Sequence, residues 1–548
     1  MSPNDFFPSG KLILKRETPF ARNRKKNVQQ QSGFEERTPP MQNRNLFGLF
    51  LATLLSKDIR QIEEELEPVL EQIGPTVAAA VMTFLSCAIS PQTTFELEKD
   101  LEQRLREIGR QILEIVFDRL EPEDPESLPK GFAYQEQEYS RKEEKSNNRG
   151  GVGTCFGTIS LRRFSCEPLQ EAREDGQHSF APLELQLGIV AGNATPALAE
   201  RVAFLAVGHT QQEVLQRLAE DHCVAWSVDV LRKVTAAVSA GMAEHLHQAQ
   251  KVQLLDWLRQ ADGSKGRRAI VLAVGRDGIM LPIRGEKTYK EGAVATIAVY
   301  DRGGRRLGTV YLGQMPEAYQ TTLSAQLTRL LREVLGEWSG HEPRLVYVTD
   351  AGYHPTQYFE NVLESMEDPR HPGRRLAWTR IVDFYHACEY LAELAQALFK
   401  NARAARAWLK RMTHWLKHEW HAVFRILHSA AKLRSERVLS AAKQEAYRKA
   451  YNYLDTHQGW MDYCAYRRQG FPIGSGVTEA ACKTVFTQRF KESGMTWKLE
   501  GGGTILLLRL AELSGVWRVA YDAFLRSQPL PQPITKPANT GHTYAKAA

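Results

Sequence analysis

Cysteine is scarce: seven residues fall among 548, at Cys87, Cys155, Cys166, Cys223, Cys388, Cys464 and Cys482, and no C-x-x-C pair occurs. An odd, widely spaced set excludes a disulfide framework and suits the reduced thiols of a cytosolic protein. Met1–Leu12 lacks the apolar segment of a secretory signal. No run of about 18 apolar residues stands out, so no membrane span is predicted. Net charge is also small, with 71 Lys plus Arg against 64 Asp plus Glu. Any nucleic-acid contact must therefore come from local basic patches. What remains is ordinary soluble composition, 43% hydrophobic and 25% charged, in a chain too long for one core.

Residues 1–46 are polar and basic, with five prolines and the cluster Arg22-Asn23-Arg24-Lys25-Lys26. They read as a disordered tail that either touches DNA phosphates or stays solvated. Residues 47–121 carry apolar positions at three- and four-residue steps and predict helices. Residues 122–151 are charged, start in a Pro-rich stop and end in Asn147-Asn-Arg-Gly-Gly151, which predicts a linker. In 152–250 a short strand at 158–164 precedes helices at 196–208, 211–221 and 227–244. The spacing of the last two is that of a helix-turn-helix, with Arg232 and Lys233 near the start of the would-be recognition helix. A purely structural helix bundle reads equally well.

From Arg268 the pattern changes to strands: 268–274, 293–300 and 306–312, then a helix at 321–338, a strand at 344–349, a helix at 356–366 and a strand at 375–382. This β-β-β-α-β-α-β order is the core layout of an RNase H-like domain. In that layout acids gather where the first and fourth strands end. Asp277 lies just past the first strand, Asp350 ends the fourth, and Glu479 opens a later helix within Gly474-Ser-Gly-Val-Thr-Glu479. Three carboxylates suit two hard divalent cations, Mg²⁺ or Mn²⁺, which can activate an attacking oxygen and stabilise a leaving one. Singly, each acid is an ordinary turn or helix-start residue.

The blocks Asp277-Gly-Ile-Met-Leu-Pro282, Val348-Thr-Asp-Ala-Gly352, Ile381-Val-Asp-Phe-Tyr-His-Ala-Cys-Glu-Tyr-Leu391 and Pro472-Ile-Gly-Ser-Gly-Val-Thr-Glu-Ala-Ala-Cys-Lys483, continuing to Trp497, carry a resemblance. Over about 154–525 the chain resembles bacterial insertion-sequence transposases of the ISKra type, related to the Mutator-like DDE superfamily. The resemblance implies a DDE triad at Asp277, Asp350 and Glu479, Mg²⁺ dependence, and terminal-inverted-repeat DNA as substrate. It also implies that Asp383 and His386 stand beside the active site. Read alone, they are an N-cap aspartate and a packed histidine, and Asp383 is the rival for a triad place. Relatives carry extra N-terminal cysteines; Cys155 and Cys166 have no nearby partners in sequence, so no zinc site is expected.

Between the last strand and Glu479, residues 400–449 hold thirteen Lys or Arg against three Glu, a net +10, interleaved with Trp408, Trp415 and Trp420. Phosphate contact is favoured over a merely solvated basic face, with Lys410 and Arg411 as candidates. Lys483, Arg489 and Lys491 come after Glu479 and are candidate backbone contacts. Trp497 either stacks on an exposed base or packs in a core.

The expected fold is multidomain α+β. An RNase H-like catalytic domain (265–383 and 471–525) carries an all-α basic insertion (384–470), comes after mostly helical N-terminal domains and precedes a disordered tail (526–548). The expected activity is metal-dependent cleavage and strand transfer of double-stranded DNA by a homodimer or larger assembly in the bacterial cytoplasm. The alternatives are a structure-specific nuclease or a non-catalytic DNA-binding derivative.

Overall fold

The computed structural model describes residues 45–148, 150–169, 179–492 and 494–534. Nearly all of the expected basic tail, and 535–548, lie outside the described residues. The chain divides into two units, Met1–Glu64 and Glu65–Ala548. The described part of the first is the start of helix α1 (Asn45–Ser86).

In the second unit α1 ends and α2 (Pro91–Arg119) begins, started by a Ser90–Thr93 capping box with Pro91 at the first turn. Ion pairs one turn apart, such as Arg104–Asp100 and Arg110–Glu114, line α2. One finding departs from the sequence expectation. The 24-residue segment Glu63–Ser86 contains an 18-residue window of mean hydropathy 1.3, long and apolar enough to cross a membrane by length and composition.

The expected linker is a second departure, because it folds as β1 (Gly131–Tyr134) and β2 (Gln137–Asn147). The hairpin turns on Gln135 and Glu136, both at positive φ, without the Asn-Gly pair that usually marks such a turn. Tyr139 and Arg141 point inward while Lys142, Glu143 and Glu144 beyond them face out. β3 (Val152–Thr154), β4 (Gly157–Ile159) and β5 (Arg162–Pro168) come next.

Helices α3 (Pro182–Gln186), α4 (Pro196–Gly208) and α5 (Gln211–His222) precede α6 (Val228–Asp262). The sequence reading ends α6 near 244. Leu254, Leu255, Leu258 and Ala261 extend its apolar stripe, so it runs on and packs against the large sheet. The boundary expected at 250 therefore falls inside a helix, which runs on from the 196–244 helical region to the sheet.

That sheet contains β6 (Val271–Leu281), β7 (Lys290–Tyr300), β8 (Arg306–Gln314), β9 (Arg344–Thr349) and β10 (Trp378–Val382), in the spatial order β10-β9-β6-β7-β8. β6, β7 and β8 are antiparallel; β9 and β10 run parallel to β6. Helix α7 (Thr321–Glu337) precedes β9. Helix α8 (Tyr353–Tyr358) precedes β10 and passes into a π-helical turn, Phe359–Leu363. One face of the sheet (Leu272, Val274, Ile297, Val310, Tyr347) buries against α7, α8 and the end of α6. Alternate residues (Val271, Ala273, Val346, Val348, Ile381) face the other way.

The second face meets the helical insertion: α9 (Phe384–Leu398), α10 (Ala402–His418), α11 (Ala422–Ser435), α12 (Ala441–His457) and α13 (Tyr463–Gln469). Next comes α14 (Gly476–Ala481), continued by a π-helical turn (Cys482–Thr487) and α15 (Gln488–Phe490). Helices α16 (Leu499–Leu513) and α17 (Trp517–Ser527) pack with α4 and α6. The expected tail is partly ordered: β11 (Gln532–Pro533) pairs with Phe132 and Ala133 of β1, completing the sheet β11-β1-β2-β5.

Candidate active site

The parallel pairing of β6 with β9 matches Val271 to Arg344 and Val274 to Tyr347. Carried three residues on, the same register sets Asp277 beside Asp350. The β9–β10 register, Val382 to Thr349, likewise sets Asp383 beside Asp350. Three aspartates thus stand at one edge, where three neighbouring strands point the same way. Asp277 is inside β6 rather than past it. The β6–β7 ladder runs unbroken to Leu281–Lys290, and Asp277 sits opposite Val294.

Glu479 reaches this edge because α14 lies close on the sheet. Thr478 Oγ1 occupies the space where a side chain on Gly275 would project, and it shares a 2.8 Å hydrogen bond with Thr296 Oγ1. Only glycine at 275 permits that approach. Ser475 Oγ donates to Glu479 Oε1 at 3.4 Å.

The acids differ in surroundings. Asp277 Oδ1 accepts the Gly278 N–H at 2.7 Å and Oδ2 accepts the Cys482 thiol at 3.2 Å. Burial pushes its pKa up to about 6, and the charges of Asp350 and Glu479 add to the rise. Glu479 is also raised, by burial and then by the charge of Asp383. Asp350 Oδ1 accepts the Gly352 N–H at 2.9 Å. Among the described residues no group of three or more His, Cys, Asp or Glu stands ready to hold a metal ion, so the three acids do not form a closed cage.

Asp383 is fully buried and caps α9, its Oδ1 accepting the His386 N–H at 2.8 Å while Oδ2 accepts the Ser475 N–H. Both oxygens accept backbone donors, which fixes the loop that carries Glu479. His386 is half-buried, with Nδ1 3.0 Å from Glu389 Oε2 and its ring edge-on to Tyr390 and Tyr453.

The basic candidates divide. Lys410 and Arg411 are exposed on α10, and Arg411 also lies over the Trp415 ring at 5.8 Å. Lys483 and Lys491 are exposed, as are Arg232 and Lys233 at the start of α6, with Arg232 bonded to Gln211 at 3.2 Å. Arg489 is not a phosphate contact. It is buried, and its guanidinium donates to the carbonyls of Ala206 and His209 at the end of α4, at 3.3 and 2.9 Å. Trp497 is half-buried, its ring packed on Phe490 at 4.6 Å and under Arg489, which is the packed alternative of its two readings. Trp408 is core, whereas Trp420 is 47% exposed with Arg468 over it.

Two side chains that touch the acids escape a reading of the sequence. Cys482 stands three residues after Glu479, on the same helical face, so its spacing carries a signal. Tyr453 of α12 donates to the Asp350 carbonyl at 2.8 Å, across 103 residues, and no local pattern announces it.

No family model matches the chain. It is similar to a protein of Streptococcus gallolyticus described as "UPF0236 protein in vanSb 3'region", at 23% identity over 437 residues, covering 78% of this chain and 84% of that one.

Proposed function

We propose that the chain is a DDE transposase that cleaves and joins DNA at terminal inverted repeats. The observation that carries this reading is the parallel β6–β9 register, which continued past Val274–Tyr347 leads Asp277 and Asp350 to the same edge, where Asp277 feels the charges of Asp350 and of Glu479, delivered over Gly275. A sheet of three antiparallel strands extended by two parallel ones, first strand central, supports an RNase H-like core.

The donor set fits Mg²⁺ or Mn²⁺: carboxylate oxygens are hard ligands, and burial first, with the like charges of Asp350 and Glu479 after it, disfavours the Asp277 anion, which a cation would offset. Asp277, Asp350 and Glu479 would hold the two ions, which when bound supply activation of the attacking oxygen and charge for the departing one. The protein's own part is placement. Cys482 and Gly278 orient Asp277, Gly352 orients Asp350, and Ser475 orients Glu479. Water attacks the phosphodiester at the element's end, and the freed 3′-hydroxyl then attacks target DNA. Lys410, Arg411, Lys483 and Lys491 meet phosphates, and Arg232 and Lys233 offer a second DNA contact. Pairing two ends calls for two copies, and exposed Met82, Leu85, Phe95 and Leu105 on α1 and α2 support a homodimer or larger assembly.

The test is incubation of the full chain with inverted-repeat ends and target DNA in Mg²⁺ or Mn²⁺. Nicked ends and joined product are expected, with Asp350→Asn and Glu479→Gln each lowering both by about 10³-fold or more. Cleavage without joining would make the chain a nuclease on the same fold. Binding with no cleavage in either metal would make it a DNA-binding derivative.

A further inference from the structure

Resting on the catalytic reading above, we propose that the basic helical insertion also holds the catalytic edge in shape. Tyr453 and Tyr463 are its positioning residues.

The turn after β9 is where a clamp is needed. Ala351 comes after Asp350 at φ +64, a left-handed conformation that a non-glycine residue keeps only when its surroundings enforce it. The local bonds are slight: Ala351 N–H to Thr349 Oγ1 at 3.3 Å and Gly352 N–H to Asp350 Oδ1 at 2.9 Å. Thr356 of α8 adds its hydroxyl to the Ala351 carbonyl at 3.3 Å, and the insertion supplies a further hold on Asp350 itself. Tyr453 of α12 donates its hydroxyl to the Asp350 carbonyl at 2.8 Å. Its ring is in turn fixed, stacked on Tyr390 at 3.7 Å and flanked by His386 and His457. A second tyrosine does the same on the next strand. Tyr463 of α13, fully buried, donates to the carbonyls of Val382 at 2.9 Å and Asp383 at 3.5 Å.

Two adjacent strands therefore end in carbonyls taken by hydroxyls from one helical insertion, next to Asp350 and to the residue that anchors the Glu479 loop. Burying a tyrosine demands a partner for its hydroxyl, and here both partners are backbone groups of the catalytic edge. The segment that offers DNA its cations and the turn that aims Asp350 are thereby mechanically one piece. A shift of α12 on engaging DNA would be felt first at Asp350.

The experiment is Tyr453→Phe in the full chain, which keeps the stacked ring and removes only the donor. With saturating inverted-repeat DNA, the single-turnover cleavage rate is expected to fall about 5- to 10-fold, the size of one net hydrogen bond. The Mn²⁺ concentration for half-maximal rate should rise by a similar factor, while DNA affinity stays unchanged. Tyr451→Phe, two residues away on α12, should change none of these. An unaltered rate and Mn²⁺ dependence, or a loss explained wholly by DNA affinity, would overturn the proposal while leaving the transposase reading standing. Should the wild-type chain neither cleave DNA nor gain thermal stability from Mn²⁺, the catalytic reading falls and this inference with it. A second variant, Tyr463→Phe, checks the neighbouring strand by the same readouts.

Discussion

Two helical regions flank the central sheet, and α10 of one and the α4 end of the other use basic residues in opposite ways, although the insertion too has an internal arginine, Arg437, which donates to the Leu398 carbonyl at 2.6 Å. In the insertion, α10 turns Lys410 and Arg411 outward, where solvent and an aromatic ring meet them. In the layer formed by α4, α6 and the C-terminal helices, Arg489 and Arg509 are buried, and their guanidinium groups satisfy the last carbonyls of α4. Arg509 donates to the Val207 carbonyl at 3.1 Å and also to Thr484. A helix leaves four carbonyls unpaired at its end, and here two cations from distant sequence close them. Basic residues one helix apart can thus be a surface for phosphate or an internal strut, and only the surroundings tell which.

The sharpest way to break this contrast is Arg489→Ala. It leaves the α4 carbonyls unpaired and should cost about 2–4 kcal/mol in chemical denaturation, with DNA affinity of the folded protein unchanged. A variant as stable as wild type but weaker on DNA would make Arg489 a surface residue after all.

Next in size is Asp277, a buried acid without a full set of partners. Its pKa is about 6 in the fold against 3.8 unfolded, so its ionisation opposes folding. No penalty exists below about pH 4. Stability is lost as pH rises through that window and stays lost above pH 6. Asp277→Asn should therefore stabilise the metal-free protein at pH 7.5 by about 2 kcal/mol, allowing for partial exposure, and remove stabilisation by Mn²⁺. Thermal melts at pH 4.5 and 7.5, with and without Mn²⁺, check both. Equal stability of variant and wild type at the two pH values would contradict the burial argument.

The smallest effect belongs to the exposed pair. Lys410→Ala with Arg411→Ala should leave the melting temperature unchanged, weaken DNA binding roughly tenfold and lower the salt slope by about 2. Lost stability instead would place these cations with the struts.

The central sheet is legible in the sequence because its strands are β-branched runs of the right length, in an order few folds share. Two features mislead. Gly275 and Gly278 resemble turn signals and seem to cut β6 short. Gly275 is demanded instead by close approach, since Thr478 takes the space there, while at 278 the movable end of the Glu291 side chain lies where a Cβ would project. The β1–β2 hairpin is hidden by its polarity and by a turn without glycine. Asp350 is legible from its strand end. Asp383 is legible as the N-cap of α9. Arg489, Trp497 and Tyr453 are not, because each takes its role from a contact made far along the chain, and residue type leaves that contact open.

The pairing of β11 with β1 has a consequence in time. Ile534 N–H reaches back to the Gly131 carbonyl at 2.9 Å. Roughly 400 residues separate the two strands, so at about 5–20 residues per second the early sheet waits some 20–80 s of synthesis for its last strand. Until then β1 presents an open edge on the nascent chain. Its closure waits until residues 532–534 have left the ribosome, which sets the earliest moment at which this sheet is whole.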